Sequence, residues 1–180
     1  QREKKLKDAA KLFEEANQLA GQSGKALLAL ESGMKLGETL LGTRQASKAA
    51  DVLSQVLNMA RNIKAPAQER AVASMLAQAH GAQQNFEAAL QASTRTLELT
   101  RQLGFQQMEA VDTYNVGLFN LMLKRPSEAV ALFKQAQDKV TGTANPNFMK
   151  ELLFNLGMSQ IQLGEKNAGE SNIRDALPKA

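Results

Sequence analysis

The sequence predicts an all-α solenoid of stacked helical hairpins. Three observations carry that prediction. The first is a period of 40 residues. Ala9, Ala49, Ala89, Ala129 and Gly169 fall on one register, Phe13, Leu53, Ser93, Phe133 and Ile173 on a second, and Gly37, Ala77, Gly117 and Gly157 on a third. A fixed period of that length marks stacked supersecondary units rather than one globular core. The second is composition: 43% hydrophobic residues, 4% aromatics, no Trp, and abundant Ala, Leu and Gln. That mixture favours helix over strand and suffices for a continuous core between stacked helices. The third is punctuation, because Pro66, Pro126, Pro146 and Pro178 all fall at expected loops or helix starts.

The elements follow in order. Residues 2–20 read as one unpaired helix, the second of a preceding unit. Leu6, Ala9, Phe13, Ala16 and Ala20 hold its apolar face at spacings of three and four. Gly21-Gln22-Ser23-Gly24 ends it. Four helix pairs are then expected, at 26–42 and 45–62, 66–82 and 85–103, 106–123 and 126–140, and 147–163 and 166–177, about nine helices in all. Pro66 and Pro126 suit a first helical position, where the missing N–H has no partner anyway. Gly104 stands where a helix stop is expected. Residues 141–147, Thr-Gly-Thr-Ala-Asn-Pro-Asn, read as a loop. The expected organisation is one array over 1–180: the unpaired helix in 1–25, then repeats at 26–65, 66–105, 106–145 and 146–180.

The small residues carry the packing logic. Gly inside a helix costs roughly 1 kcal/mol against Ala. A cost repeated at Gly37, Gly117 and Gly157 predicts a repeated gain, the close approach of the second helix of each pair. That helix offers Ala49, Ala89, Ala129 or Gly169. Four residues on comes a plug (Leu53, Ser93, Phe133 or Ile173), and three further Val56, Thr96, Ala136 or Ala176. Ser93 and Thr96 make the second repeat the weakest, and Gly169 weakens the last helix.

Composition and motifs also exclude. The formal net charge is +4, with acids and bases interspersed, so the surface reads as solvated helix. A nucleic-acid footprint needs bases concentrated on one face, and the Arg2, Lys4, Lys5, Lys7 run is short and interrupted. With no Cys there is no disulfide framework and no thiolate site, which fits a cytoplasmic location. No apolar run approaches the roughly 20 residues that span a bilayer. No phosphate loop or metal-ligand cluster is visible, so no cofactor is expected. His80, the only His, reads as a filler between helices. Glu14 and Glu15 are adjacent on a helix and diverge into solvent. The expectation is therefore not an enzyme. The chain opens at Gln1 directly in helical pattern, which reads as a fragment of something longer.

The registers resemble the tetratricopeptide repeat (TPR), whose pattern is Leu-Gly in the first helix, then Ala, a bulky residue four later and Ala three after that. Val116-Gly117, Ala129, Phe133 and Ala136 fit it, as do Leu156-Gly157, Gly164, Ile173 and Ala176, and Leu36-Gly37, Ala49, Leu53 and Val56. Leu76-Ala77, Phe86, Ala89 and Thr96 fit more loosely. The unit is 40 rather than 34 residues, similar to the long repeats of LGN-like adaptors, kinesin light chains and Rap- or MalT-type regulators. The aromatic usual near the end of the first helix is replaced by Leu40, His80, Asn120 and Gln160. HEAT repeats have a similar length, but the Gly/Ala register argues against them.

The resemblance implies a right-handed superhelix whose first helices line a concave groove. Repeat one would present Met34, Glu38 and Leu41, and repeat two Ser74, Gln78 and Gly81. Repeat three would present Tyr114, Asn115, Leu118, Leu121 and Met122, and repeat four Phe154, Asn155, Met158 and Gln162. Met and aromatics offer adaptable apolar contact, while Asn115 and Asn155 could each bond a ligand backbone through donor and acceptor. The carboxylate clamp of one TPR subtype lacks its bases here, at Met34, Glu38, Ala71 and Met75. The implied function is a non-catalytic scaffold or adaptor that binds a peptide or helix of a partner protein. Self-assembly, or a ligand-sensing regulatory array, is the alternative, and a homo-oligomer remains open.

Overall fold

The structure is a computed structural model. It describes residues 26–140 and 145–177, together with Asp8, Lys11, Glu15, Gln18 and Leu19. The apolar face expected in 2–20, Gly21–Gly24 and residues 141–144 lie outside the described residues. Among the described residues there are eight helices and no strand: α1 (Ala26–Gly42), α2 (Ala46–Asn62), α3 (Pro66–Ala82), α4 (Phe86–Gln102), α5 (Gln106–Met122), α6 (Pro126–Lys139), α7 (Pro146–Gln162) and α8 (Lys166–Ala176). Every start lies 20 residues after the last, so the 40-residue period divides into two equal helical halves. The chain forms two compact units, residues 1–99 and 100–180, with the division inside α4.

The six connections described in full are made alike. Arg44, Lys64, Gln84, Gly104, Lys124 and Gly164 all take left-handed backbone conformations, with φ between 54° and 86°. The residue after each donates its N–H five residues back, as in Gln45 to Leu40 (2.9 Å), Ala65 to Ala60 (2.9 Å) and Arg125 to Asn120 (2.9 Å). The left-handed residue itself bonds three back, as in Lys124 to Leu121 (3.0 Å). This pair of bonds is the Schellman motif, which satisfies two carbonyls that the helix end would leave unpaired. Pro66, Pro126 and Pro146 each occupy the first turn of their helix. Pro146 and Asn147 therefore belong to α7 and not to a loop. Asn145 caps that helix, its side chain accepting from the Asn147 N–H at 3.0 Å.

Within 1–99, Leu30, Leu36 and Leu40 of α1 pack with Ala49, Leu53, Val56 and Ala60 of α2 and with Val72, Leu76 and Ala79 of α3. Within 100–180, Tyr114 and Leu121 of α5 pack with Ala129, Val130, Phe133 and Ala136 of α6 and with Leu152 and Leu156 of α7. The glycine register does what its spacing predicts. A Cβ on Gly37 would strike the Leu53 side chain, and one on Gly117 would come within 2.8 Å of the Phe133 ring. A Cβ on Gly157 would lie 2.6 Å from the Gly169 carbonyl oxygen. Repeat two tolerates Ala77 because its plug is the small Ser93, and both are buried.

A polar register joins neighbouring hairpins. Arg61 on α2 meets Glu69 on α3 at 3.0 Å, and Arg95 on α4 meets the same carboxylate oxygen at 2.9 Å. The pair recurs 40 residues on as Arg101 and Glu109 at 3.0 Å, with Lys139 supplying the third member at 3.2 Å. The Arg95 guanidinium, aided by Arg61, holds the Glu69 carboxyl below the usual carboxylate range although burial opposes it. Burial also pushes Glu109 up, but the bonds from Arg101 and Lys139 outweigh it and leave the carboxyl lowered.

Candidate functional site

The expected binding residues lie on first helices, and each unit can be read separately. In the unit of residues 1–99, Glu38, Leu41 and Gln78 come together. They line a cleft of about 470 Å³ between α1 and α3, completed by Gly42 and Met75. Met34 lines a second depression of about 340 Å³ with Leu28, Glu31, Ser32 and Lys35, and also packs on the core. Ser74 and Gly81 are half-buried and line neither. Glu38 is exposed and paired with Lys35 at 2.9 Å, an ion pair worth about 0–1 kcal/mol.

In the unit of residues 100–180 the expected face divides. Asn115 and Leu118 are half-buried, while Met122, Met158 and Gln162 are exposed. Tyr114 and Leu121 are instead part of the core, at 7% and 9% exposure. Tyr114 lies 5.4 Å from the Phe133 ring and 5.4 Å, edge-on, from that of Phe148. Such aromatic pairs add about 0.5–1.5 kcal/mol beyond their buried area. Burial, with Glu151 nearby, raises the Tyr114 hydroxyl above its ordinary range, against a hydrogen bond from Asn155. The register of Tyr114 is thus a packing register between α5 and α7, whereas Phe154, 40 residues on, is 45% exposed as expected of the face. The expected use of Asn155 changes too. Its amide donates to the Tyr114 hydroxyl (2.7 Å) and to the Glu151 carbonyl (3.0 Å), so both protons are committed and only its oxygen is left to accept.

Two residues escaped the sequence reading, and Met75 entered it only as a clamp position. Val111 and Met108 on α5 are 43% and 46% exposed, and Met75 lines the cleft of the first unit. The signal was present: Met75 stands 40 residues before Asn115, and Val111 stands one turn before it on the same helix face. His80 is half-buried near the end of α3, and burial pulls its imidazole below the ordinary range. Its register holds Leu40 in α1, and in α5 and α7 Asn120 and Gln160, both buried and hydrogen-bonded inside the fold. Among the described residues, no group of three or more His, Asp or Glu is placed to hold a metal ion. No described helix is long and apolar enough to cross a membrane.

This arrangement of helical hairpins has solved counterparts. BtubC (BKLC) from P. vanneervenii matches over 98% of this chain and 73% of its own, with a TM-score of 0.85 at 20% identity. The nearly identical TPR-like repeats of a Podospora anserina protein assigned to the kinesin light chains match over 95% of this chain and 85% of theirs, with a TM-score of 0.79 at 15% identity. The apo form of RapI matches over 93% and 68%, with a TM-score of 0.72 at 14% identity. No protein-family model matches the sequence, and no curated protein matches it. The fold is that of the TPR-type helical-hairpin solenoid, in its long-repeat form.

Proposed function

We propose that this array is a non-catalytic protein-interaction scaffold that holds a peptide or helix of a partner protein against the faces of its first helices. One observation carries the reading. Along α5 and α7, Val111, Leu118, Met122 and Met158 repeat at helical spacing, and three of the four are more than a third exposed. Scattered exposed apolar residues need no explanation, but a ridge of them on adjacent first helices is a surface suited to another protein. Methionine fits such a surface, since its unbranched thioether adapts to varied contacts. Asn115 at the centre of the ridge would bond the backbone of the bound segment.

Within residues 1–99, Glu38, Leu41, Met75 and Gln78 would offer a second, more polar contact. On this reading the binding set is Met34, Glu38, Leu41, Ser74, Gln78, Asn115, Leu118, Met122, Met158 and Gln162, enlarged by Met75 and Val111. The repeats would run 26–65, 66–105, 106–145 and 146–180, and the protein would work in the cytoplasm. The similar proteins include TPR-like repeats by description, which agrees with this class of function.

The test is the double substitution Leu118→Glu with Met158→Glu. Proximity crosslinking in lysate of the source cell, read by mass spectrometry, should capture a partner with the wild type and lose it with the variant. The far-ultraviolet circular dichroism of the two should agree. Equal capture by a variant of normal helicity would refute the site.

A further inference from the structure

Gly42 is a glycine without a packing reason. It stands in the last turn of α1, where glycine lowers helix stability against Ala. Its backbone is not left-handed, and a Cβ built on it meets nothing within 4 Å. Ala82, Met122 and Gln162 hold the same register in α3, α5 and α7, so the turn that follows does not require glycine. The cleft of about 470 Å³ between α1 and α3 opens beside it, lined also by Glu38, Leu41, Met75 and Gln78. In residues 100–180 the same five positions carry Met122, Leu118, Leu121, Asn155 and Met158, uncharged throughout. The first unit thus has a hole and a carboxylate where the second has its apolar ridge. Glu38 is also the one charged side chain among the residues expected to face a ligand.

From this we infer that the cleft is a binding site for an arginine side chain of a partner segment, with apolar residues on either side of that arginine. Charge and shape specify the occupant. The Glu38 carboxylate would accept two N–H groups of a guanidinium, whose planar fork fits it. The Gln78 amide oxygen, on the same lining, would accept a third. The apolar stem of the arginine would lie along Leu41 and Met75. The missing side chain at Gly42 lets the ligand backbone approach the helix. Lys35 holds Glu38 at 2.9 Å, but both side chains are mostly exposed, so the guest displaces a weak pair. Both walls of the cleft are described helices. The inference rests on the reading that first-helix faces hold a partner's segment, and it names the chemistry of that segment.

The probe is the pentapeptide Ala-Leu-Arg-Leu-Ala, acetylated and amidated, titrated into the isotope-labelled whole protein and followed by amide chemical shifts. Saturable shifts at Leu41, Met75 and Gln78 are expected at millimolar peptide or below. Citrulline in place of arginine, near-isosteric and neutral, should weaken binding at least fivefold, and so should Glu38→Gln in the protein. Lys35→Ala removes the competing cation and should tighten binding about twofold. Gly42→Met, which puts the α5 residue of that register into α1, should abolish the shifts without lowering Tm. Equal binding of the two peptides, or binding that Glu38→Gln leaves unchanged, overturns the inference and leaves the groove reading standing. Absence of saturable shifts with either peptide overturns it as well, while the Leu118→Glu with Met158→Glu test decides the groove reading by itself. Light scattering that shows a dimer lost on Gly42→Met would also overturn it, by giving the cleft to a second copy.

Discussion

At Gly157 the room for one methyl group sets how closely two helices approach. Gly157→Ala would drive a Cβ to within 2.6 Å of a backbone oxygen, which cannot move aside without shifting α8. Gly117→Ala meets the edge of the Phe133 ring, and Gly37→Ala the flexible end of Leu53. Gly42 meets nothing within 4 Å. Overpacking costs about 1–3 kcal/mol, while Gly→Ala at an open helical site gains up to about 1 kcal/mol. Chemical denaturation should therefore rank the variants Gly157→Ala least stable, then Gly117→Ala and Gly37→Ala below wild type, with Gly42→Ala at or above it. Ionisable residues give a second test. The imidazole of His80 is pulled down in the fold, so on acidification the unfolded chain takes up its proton first, and stability falls as pH drops below the ordinary His range. Glu69 and Glu109 are also lowered, so their contribution is complete above the ordinary Glu range and is lost as pH falls through their folded values. Unfolding free energy followed from pH 8 to pH 3 should fall in two windows. His80→Leu should remove the upper one alone, and Glu69→Gln should shrink the lower one.

At the scale of the helix, the connections decide length. Lys64 and Lys124 adopt a left-handed backbone that costs an L-residue about 1–2 kcal/mol; glycine escapes that cost but loses part of the gain through its larger freedom when unfolded. Lys124→Gly should stabilise by up to about 1 kcal/mol, and Gly104→Ala should destabilise by about as much, both read as shifts in denaturation midpoint. These turns also show where the sequence was opaque. Helix starts at Pro66 and Pro126 and the stop at Gly104 were legible, because Pro and Gly advertise their backbone geometry. Arg44, Lys64, Gln84 and Lys124 do not, so the left-handed turns that end their helices stayed hidden although the helix starts were placed to within one residue. The glycine register was legible for a related reason, since a repeated cost in helix propensity implies a repeated contact. The face of each first helix was less so. Tyr114 and Leu121 share helical spacing with the exposed ridge, and spacing alone does not separate a side chain that meets a neighbouring hairpin from one that meets a ligand. Asn155 shows the same limit, for its two donors are committed to partners 41 and 4 residues away.

At the scale of the molecule, a solenoid is stabilised by neighbour contacts, so its stability is distributed along the chain. Within residues 100–180 the distribution is uneven. α6 buries Ala129, Val130, Phe133 and Ala136 in its 14 residues, whereas α8 buries only Gly169 and Ala176 in its 11. Native-state hydrogen exchange should show the amides of α8 exchanging well before those of α5 and α6. Equal protection across the three helices would contradict the view that each hairpin depends on what covers it.

The even comb of helix starts has a genetic consequence. An in-frame duplication of forty codons returns a first helix to a first helix's place, with a small residue again opposite a small one and the matching plug one turn beyond. A duplication of twenty codons is just as regular in backbone length, and the left-handed turns would accept it. It would nevertheless set a glycine-bearing helix where an alanine-bearing one belongs, opening a void where two surfaces should touch. Copy number in such a gene can drift by whole hairpins and not by halves. The turns alone would permit a heredity of single helices, and the glycines forbid it.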